Sequence, residues 1–319
     1  MSSLHIARYI SRIPKRWLLV KGHCLGLIAY LIMIPHRKIV RRNLAFAYPD
    51  WDSKCIRHHT IAIFKNVFVT LLEILQAFFL DQQTILNSIR IKGDQNAIHL
   101  TKSRQVILVT GHIGNWEMAN LFLSSYCKAP MITIARRLKP AFLDRLFYKM
   151  RSRYGTIIID KMNSLAQIKR FIGKGYNLEL LADQGTKISE GVEVSFFNRR
   201  VTATPVVAIL ARRYNCPVIP GCCIREADGN LSIVFYPPLP LKKTRNLRSD
   251  IRENTQLMMS AIEKAIREYP DQWFWFNKRW KRFYPWLYPE YQEKRRRKRA
   301  REEKQEMKRM KKSKKKAGR

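Results

Sequence analysis

The residues best suited to chemistry lie in one short stretch, Gly111-His112-Ile113-Gly114-Asn115-Trp116-Glu117. It directly follows an apolar run of strand length, Val106 to Val109, and it opens a segment of helical spacing, Trp116 to Tyr126. A histidine at such a strand-to-helix turn can act as a general base, because its ordinary pKa lies close to neutral pH. Glu117 is expected in the first turn of the helix. There its carboxylate can reach back to the imidazole, fix the tautomer and stabilise the imidazolium that forms when the base takes a proton. Gly111 and Gly114 permit a tight turn and close approach of a substrate. The first N–H groups of the helix would point at charge developing on a nearby carbonyl oxygen. Spacing alone leaves open that His112 and Glu117 are two ordinary, satisfied polar residues.

The elements that must position this turn read as alternating strands and helices. Strand-length apolar runs occur at Val106 to Val109, Met131 to Ile134, Thr156 to Ile159, Leu178 to Leu181 and Val218 to Ile224. Amphipathic segments separate them at Trp116 to Tyr126, Phe142 to Tyr154, Ser164 to Ile172 and Pro205 to Tyr214. This alternation predicts an α/β fold, a mixed and mostly parallel sheet flanked by helices on both faces. Cys222 to Arg225, the turn Asp228-Gly229-Asn230 and Leu231 to Tyr236 predict an antiparallel hairpin added to that sheet. Helical spacing also marks Ser53 to Leu80, as one long helix or a pair, and Ser249 to Tyr269. Thr204-Pro205 reads as a helix start, with Thr at the N-cap and Pro at the first helical position.

The chain has 319 residues, of which 46% are hydrophobic, with 14 Pro and 13 Gly. That composition excludes whole-chain disorder and collagen-like repeats. Lys and Arg number 61 against 24 Asp and Glu, a net charge of +37. The stretch from Tyr291 to Arg319 holds 16 of those cations and 4 Glu, a net +12, leaving +25 on the rest. A body this basic fits an anionic partner, either nucleic acid or an anionic membrane face. The six cysteines, Cys24, Cys55, Cys127, Cys216, Cys222 and Cys223, form no CxxC pair and read as reduced core thiols, which fits a cytosolic setting or the cytosolic side of a membrane. His5, His23, His36, His58, His59 and His99 show no ligand spacing, so no metal is expected. The absence of GxGxxG and P-loop motifs argues against a nucleotide cofactor.

Trp17 to Ile34 is mostly apolar but interrupted by Lys21 and His23, and its uninterrupted run, Cys24 to Ile34, is 11 residues. That is short of the roughly 20 needed to span a bilayer. No small-residue cleavage site follows. Basic residues flank it, Arg8, Arg12, Lys15 and Arg16 before and Arg37, Lys38, Arg41 and Arg42 after, which suits a tilted or interfacial anchor on anionic headgroups. Packing of this helix on its own domain is the alternative. The resulting division is residues 1–48 as membrane anchor with basic flank, 49–290 as a catalytic domain, and 291–319 as a basic low-complexity tail.

GHIGNWE resembles the HxxxxD/E signature of glycerolipid-type acyltransferases, in the GHxGNWE form of the late acyltransferases of lipid A biosynthesis, the lauroyl and myristoyl transferase family. Further blocks resemble the same family in the same order. They are Arg41-Arg42-Asn43-Leu44 with Ala47-Tyr48-Pro49, Glu73 on a helix, Ala135-Arg136-Arg137-Leu138 through Asp144-Arg145, Arg151 to Gly155, Asp183-Gln184-Gly185, Ser195 to Asn198 through Ala203-Thr204-Pro205, and Gln272 to Lys281. Two departures stand out: Lys139-Pro140 replaces the usual Asn-Pro, and Asn277 replaces a His.

The resemblance implies transfer of a fatty acyl chain from an acyl carrier protein thioester to a hydroxyl of a lipid A precursor, at the cytoplasmic face of a bacterial inner membrane. His112 would be the general base and Glu117 its partner, with no nucleophilic Ser or Cys required and no cofactor beyond the thioester co-substrate. Cys127, on an apolar helix face, reads as core. Arg136 and Arg151 are candidates for holding substrate phosphates, since a guanidinium matches phosphate oxygens bidentately. Asp183 could position substrate or close a polar network, or simply form a turn before Gly185. Phe196, Phe197, Trp273, Trp275 and Trp280 could line an acyl-chain groove or sit at the bilayer interface, or could belong to the core. The expected partners are acyl carrier protein, a lipid A precursor and an anionic membrane surface, with no specific nucleic acid. Two other readings remain at this stage: the same chemistry on another glycolipid such as a phosphatidylinositol mannoside, and a basic nucleic-acid-binding protein suggested by the charge and the aromatic-basic run Trp273 to Lys281.

Overall fold

The computed structural model describes residues 13–161 and 164–293, together with 296, 303, 306 and 307. It divides into two compact units, Met1–Asn277 and Lys278–Arg319. In the second unit, a short 3-10 turn at Pro285–Leu287 and an ion pair between Lys278 and Glu290 at 3.3 Å are described. Most of the basic tail predicted from Tyr291 onward lies outside the described residues.

Three helices open the first unit: α1 (Lys15–Ile32), α2 (Ile34–Ala47) and α3 (Ser53–Ala77). α1 and α2 are bent by 95° at Met33. Pro35 follows in the first turn of α2, where its missing N–H costs nothing but where it cannot continue the α1 hydrogen-bond ladder. Gly22 and Gly26 let α1 cross α3 at close range. A Cβ at Gly22 would lie 2.5 Å from Val69 Cγ2, and one at Gly26 would lie 2.6 Å from Lys65 Cα. The opposite face of α1 leaves Trp17, Val20, Ile28, Leu31 and Ile32 exposed. The anchor segment is therefore packed on its own domain along one face and apolar toward solvent along the other. α3, which Asp52 caps by accepting the Cys55 N–H at 2.6 Å, is one continuous helix of 25 residues. By length and composition it could cross a membrane, as could the α1–α2 pair taken together.

α4 (Gln82–Ser88), β1 (Ile89–Gly93) and α5 (Gln95–Ser103) lead into the sheet that carries the site. Its remaining members are β2 (Ile107–Thr110), β3 (Met131–Ala135), β4 (Ile157–Asp160), β5 (Asn177–Leu181), β8 (Val218–Arg225) and β9 (Leu231–Phe235), in the spatial order β1-β9-β8-β2-β5-β3-β4. Every pairing is parallel except the β8–β9 hairpin, which confirms the predicted mixed, mostly parallel α/β sheet. Intervening helices are α6 (Trp116–Tyr126), α7 (Ala141–Arg151), α8 (Ser164–Gly173), α9 (Val206–Tyr214) and α10 (Leu247–Glu268). Alternation along β2 divides the core into two. Leu108 joins Met118, Leu121 and Phe122 of α6, Ile74 of α3 and Ile85 of α4 in one buried cluster. Its neighbours Ile107 and Val109, also buried, point to the other face, where α9 and α10 pack on β2.

A separate two-stranded hairpin, β6 (Val192–Phe196) with β7 (Arg199–Ala203), was not expected. Its turn residues Phe197 and Asn198 both have positive φ, 53° and 55°, as a type I′ turn requires, but without the glycine that usually signals one. The start of α9 also differs from expectation. Pro205 sits at the cap position with the helix beginning at Val206, and Thr204 Oγ1 lies a long 3.4 Å from the Val206 N–H.

Candidate active site

Register within the sheet brings the site together. β2 and β5 are parallel neighbours whose last residues, Thr110 and Leu181, are paired across the ladder. The Ala182 N–H donates to the Thr110 carbonyl at 2.8 Å, so His112 and Asp183 leave the same carboxyl edge side by side. Open α/β sheets commonly bind ligands at that edge. Gly111 makes the approach possible: a Cβ there would lie 3.1 Å from the Asp183 Cβ and 3.3 Å from its Cγ. Gly114, with φ of 59°, sits where a Cβ would fall 2.0 Å from the Cys223 carbonyl oxygen. These two glycines have different jobs, one admitting the Asp183 side chain and the other admitting backbone.

The partner of His112 is Asp183, not Glu117. His112 Nδ1 lies 2.8 Å from Asp183 Oδ1, and the His112 backbone N–H donates to Asp183 Oδ2 at 3.0 Å. An ionised carboxylate only accepts, so Nδ1 carries the proton and Nε2 is left as the basic nitrogen. Burial disfavours the imidazolium, but the charge and hydrogen bond of Asp183, with Glu117 beyond it and despite Arg151, outweigh burial and raise the His112 pKa above its usual value. Asp183 is 3% exposed. Burial pushes its carboxyl up, yet the opposing effect of His112, the backbone N–H and the Trp273 indole N–H leaves it below the usual carboxylate range.

Glu117 lies in the first turn of α6 as predicted, but its carboxylate is gripped by Arg151. Nε of Arg151 donates to Oε2 at 2.8 Å and its NH2 to Oε1 at 2.5 Å. The expected contact with the imidazole is therefore replaced by a two-pronged ion pair. Arg151 spends its fork on Glu117, whereas Arg136, leaving β3 at the same edge of the sheet, is exposed. Glu179 on β5, within electrostatic reach of both members of that ion pair, is buried and accepts from Asn120 at 2.6 Å. Burial pushes its carboxyl up to about 7, and the Asn120 hydrogen bond offsets only part of that.

The turn is held from behind by residues that spacing did not bring together. Asn115 caps α6 by accepting the Met118 N–H at 3.1 Å, and its amide donates to buried Glu73 at 2.8 Å. Glu73 is in turn paired with Arg225 of β8, at 2.5 Å. The aromatic segment after α10 lies against the His112 turn like a strand. The Phe274 N–H donates to the His112 carbonyl at 2.9 Å, and the Gly114 N–H donates to the Gln272 carbonyl at 2.8 Å.

Side chains of that segment alternate. Trp273 and Trp275 are fully buried together with Phe196 and Phe197, ring against ring, so none of the four lines an open acyl groove; Trp280 is likewise buried. The half-exposed rings flanking the imidazole are instead Trp116, at 5.0 Å between centroids, and Phe274, at 6.4 Å. The period-2 pattern of Trp-Phe-Trp-Phe is the signal that distinguishes Phe274 from its buried neighbours. On the solvent side, the exposed Gln184 brings its amide nitrogen 3.3 Å from His112 Nε2.

Among the described residues no group of His, Cys, Asp or Glu is arranged to hold a metal. Cys127 is buried as expected, with burial pushing its thiol up to about 12, which leaves it inert as a nucleophile. Cys24, expected in the core, is exposed on α1.

The model of the bacterial lipid A biosynthesis acyltransferases matches residues 3–282. The lipid A biosynthesis lauroyltransferase of Escherichia coli is 24% identical over 263 residues, covering 82% of this chain and 84% of that protein. The phosphatidylinositol mannoside acyltransferase of Mycolicibacterium smegmatis is 27% identical over 186 residues, covering 57% of this chain; the match spans 58% of that relative's length. A solved structure, the 1-acyl-sn-glycerophosphate acyltransferase of Thermotoga maritima, superposes with a TM-score of 0.35 at 12% identity, covering 80% of this chain and 96% of that one, a likeness too slight to support any conclusion.

Proposed function

Because the chain belongs to the bacterial lipid A biosynthesis acyltransferase family, we propose that it transfers a fatty acyl group from an acyl carrier protein thioester to a hydroxyl of a lipid A precursor, with His112 as general base. The observation that carries the mechanism is the buried Asp183 carboxylate on His112 Nδ1, at 2.8 Å. It supports a neutral imidazole with its lone pair on Nε2, facing the open side of the turn.

The acceptor hydroxyl gives its proton to Nε2 as its oxygen attacks the thioester carbonyl carbon. The tetrahedral intermediate collapses with cleavage of the carbon–sulfur bond, and the departing thiolate takes the proton back from the imidazolium. Asp183 stabilises that imidazolium without leaving its place, since its other oxygen is held by the His112 backbone N–H. The positive end of α6 favours the developing oxyanion. Glu117 and Arg151 shape the wall beside the imidazole, and Arg136 is the guanidinium available for a substrate phosphate.

A second acceptor class has its own support in the phosphatidylinositol mannoside acyltransferase of Mycolicibacterium smegmatis, whose identity over the matched region is 27%. Incubating detergent-solubilised protein with acyl carrier protein thioesters and either a tetra-acylated lipid A precursor or a phosphatidylinositol mannoside separates the two. Mass spectrometry identifies which acceptor gains one acyl group. Gain on the mannoside alone overturns the lipid A assignment.

The proposed location is the cytoplasmic face of the bacterial inner membrane. The exposed apolar face of α1, with Trp17, Val20, Ile28 and Leu31, and the basic residues at its two ends support seating at an anionic bilayer surface.

A further inference from the structure

The aromatic segment Gln272–Asn277 is hydrogen-bonded to the His112 turn through its backbone and to Asp183 through a side chain. The indole N–H of Trp273 donates to Asp183 Oδ2 at 2.8 Å. That oxygen also receives the His112 backbone N–H at 3.0 Å, while the other oxygen faces His112 Nδ1 at 2.8 Å. Trp273 is 1% exposed and its ring is wedged edge-on against Trp275, with centroids 4.6 Å apart, and against Phe196, at 5.8 Å. An indole fixed this firmly has one N–H direction available.

We infer that Trp273 is a positioning residue for acyl transfer: its indole N–H fixes the rotamer of Asp183 and withdraws charge from it, thereby setting the tautomer and basicity of His112. The inference rests on the reading of His112 as the base. Two donors on Oδ2 leave the carboxylate one way to sit, with Oδ1 toward the imidazole. Packing by itself would need only a large ring at 273. The Ile113–Trp273 bridge and the Phe274 N–H to His112 carbonyl bond hold the backbone in register whatever that side chain is. The N–H is directed at Asp183 Oδ2.

The charged groups facing this pair are few. Glu117 and Arg151 act on His112 from α6 and α7, and they hold each other as an ion pair. Asp183 is met by His112 and by the neutral indole. Removing the N–H leaves the carboxylate charge less dispersed, so it holds a proton on the imidazole more tightly.

The test uses the full-length protein in detergent. In Trp273→Phe, which keeps an aromatic ring and deletes the donor, the NMR titration midpoint of His112 and the acid limb of kcat/KM should both move up by about one pH unit. kcat should fall by roughly tenfold with little change in KM. An unmoved or lowered midpoint overturns the inference, whatever happens to the rate.

A wild-type measurement does not depend on the variant folding. Of the seven tryptophan indole signals, one should follow the His112 midpoint as pH is varied. A set of seven signals insensitive to that titration also overturns the inference. His112→Ala separates this failure from failure of the base itself: wild-type turnover there refutes the general-base reading, whereas loss of turnover beside an unmoved Trp273→Phe midpoint refutes only the role of Trp273.

Discussion

Replacing Asp183 with asparagine changes one atom and, from the geometry of its partners, reverses the tautomer of His112. Oδ2 receives two donors, the His112 backbone N–H at 3.0 Å and the Trp273 indole N–H at 2.8 Å. An amide NH2 in that place would face both N–H groups and leave them buried without an acceptor, at about 1–3 kcal/mol each. The amide oxygen must therefore occupy the Oδ2 position, which puts the NH2 opposite His112 Nδ1. That nitrogen then becomes the acceptor and the ring proton moves to Nε2, where the base is needed. With His112 as the proposed base, this substitution should lower turnover by about 10²- to 10⁴-fold, on the order of 3–5 kcal/mol in the barrier.

The assay is acyl transfer followed by mass spectrometry at subsaturating acceptor over a pH series, with folding of the variant checked by its thermal melt. The wild-type protein should lose kcat/KM on the acid side of a midpoint above the ordinary histidine value, because Asp183 raises the His112 pKa. Asp183→Asn should be slow at every pH and lack that limb. A folded Asp183→Asn protein within tenfold of wild type refutes the arrangement argued here.

Other perturbations follow from the same geometry. Glu117→Gln weakens a nearly buried ion pair in which Glu117 and Arg151 side chains are 5% and 18% exposed, so chemical denaturation should show a loss of about 3–5 kcal/mol in stability along with reduced activity; an unchanged unfolding midpoint contradicts this. Glu179 is raised to about 7 when folded, against 4.5 ordinarily. The folded state thus holds the extra proton between those values, and stability falls as pH rises through the window, by about 3 kcal/mol once pH exceeds 7. The raised His112 pKa acts in the same direction, so the comparison is with Glu179→Gln, whose melting temperature should vary less between pH 5 and 8; equal pH dependence in the two proteins counts against a raised Glu179. Gly114→Ala should destabilise the turn strongly, since the new Cβ meets the Cys223 carbonyl oxygen at 2.0 Å and φ is 59°; a melting temperature within a degree of wild type contradicts the close approach.

The sheet was legible in the sequence because its central strands are short, continuous apolar runs between amphipathic helices. β1, at one edge of the sheet, and the separate β6–β7 hairpin were not. β1, Ile-Arg-Ile-Lys-Gly, is an edge strand with a mostly exposed pattern, and β6 and β7 meet at a turn lacking the glycine signal. Of the site, His112 was readable from its place after β2, and Glu117 from its place in α6. Their relationship was not, because a residue five positions away along the chain competes with residues delivered by sheet register and by α7. Asp183 stands beside His112 through the β2–β5 pairing, and Arg151 reaches Glu117 from the end of α7.

The aromatic segment shows the same limit. Its composition suggested a surface for lipid, yet the alternation of Trp273 and Trp275 inward with Phe274 outward splits it between core and site wall. α1 illustrates a different one. Its apolar residues, broken only by Lys21 and His23 after Arg16, could not say which face was covered, and Gly22 and Gly26 decided it by admitting α3.

The most direct test of the central claim is a mass-spectrometric time course of acyl transfer by His112→Ala beside the wild-type protein, both shown to be folded. The wild-type protein should accumulate an acceptor heavier by one acyl group, and His112→Ala should form it at about 1% of that rate or less. Formation of the same product by His112→Ala at the wild-type rate would contradict the assignment of His112 as the base.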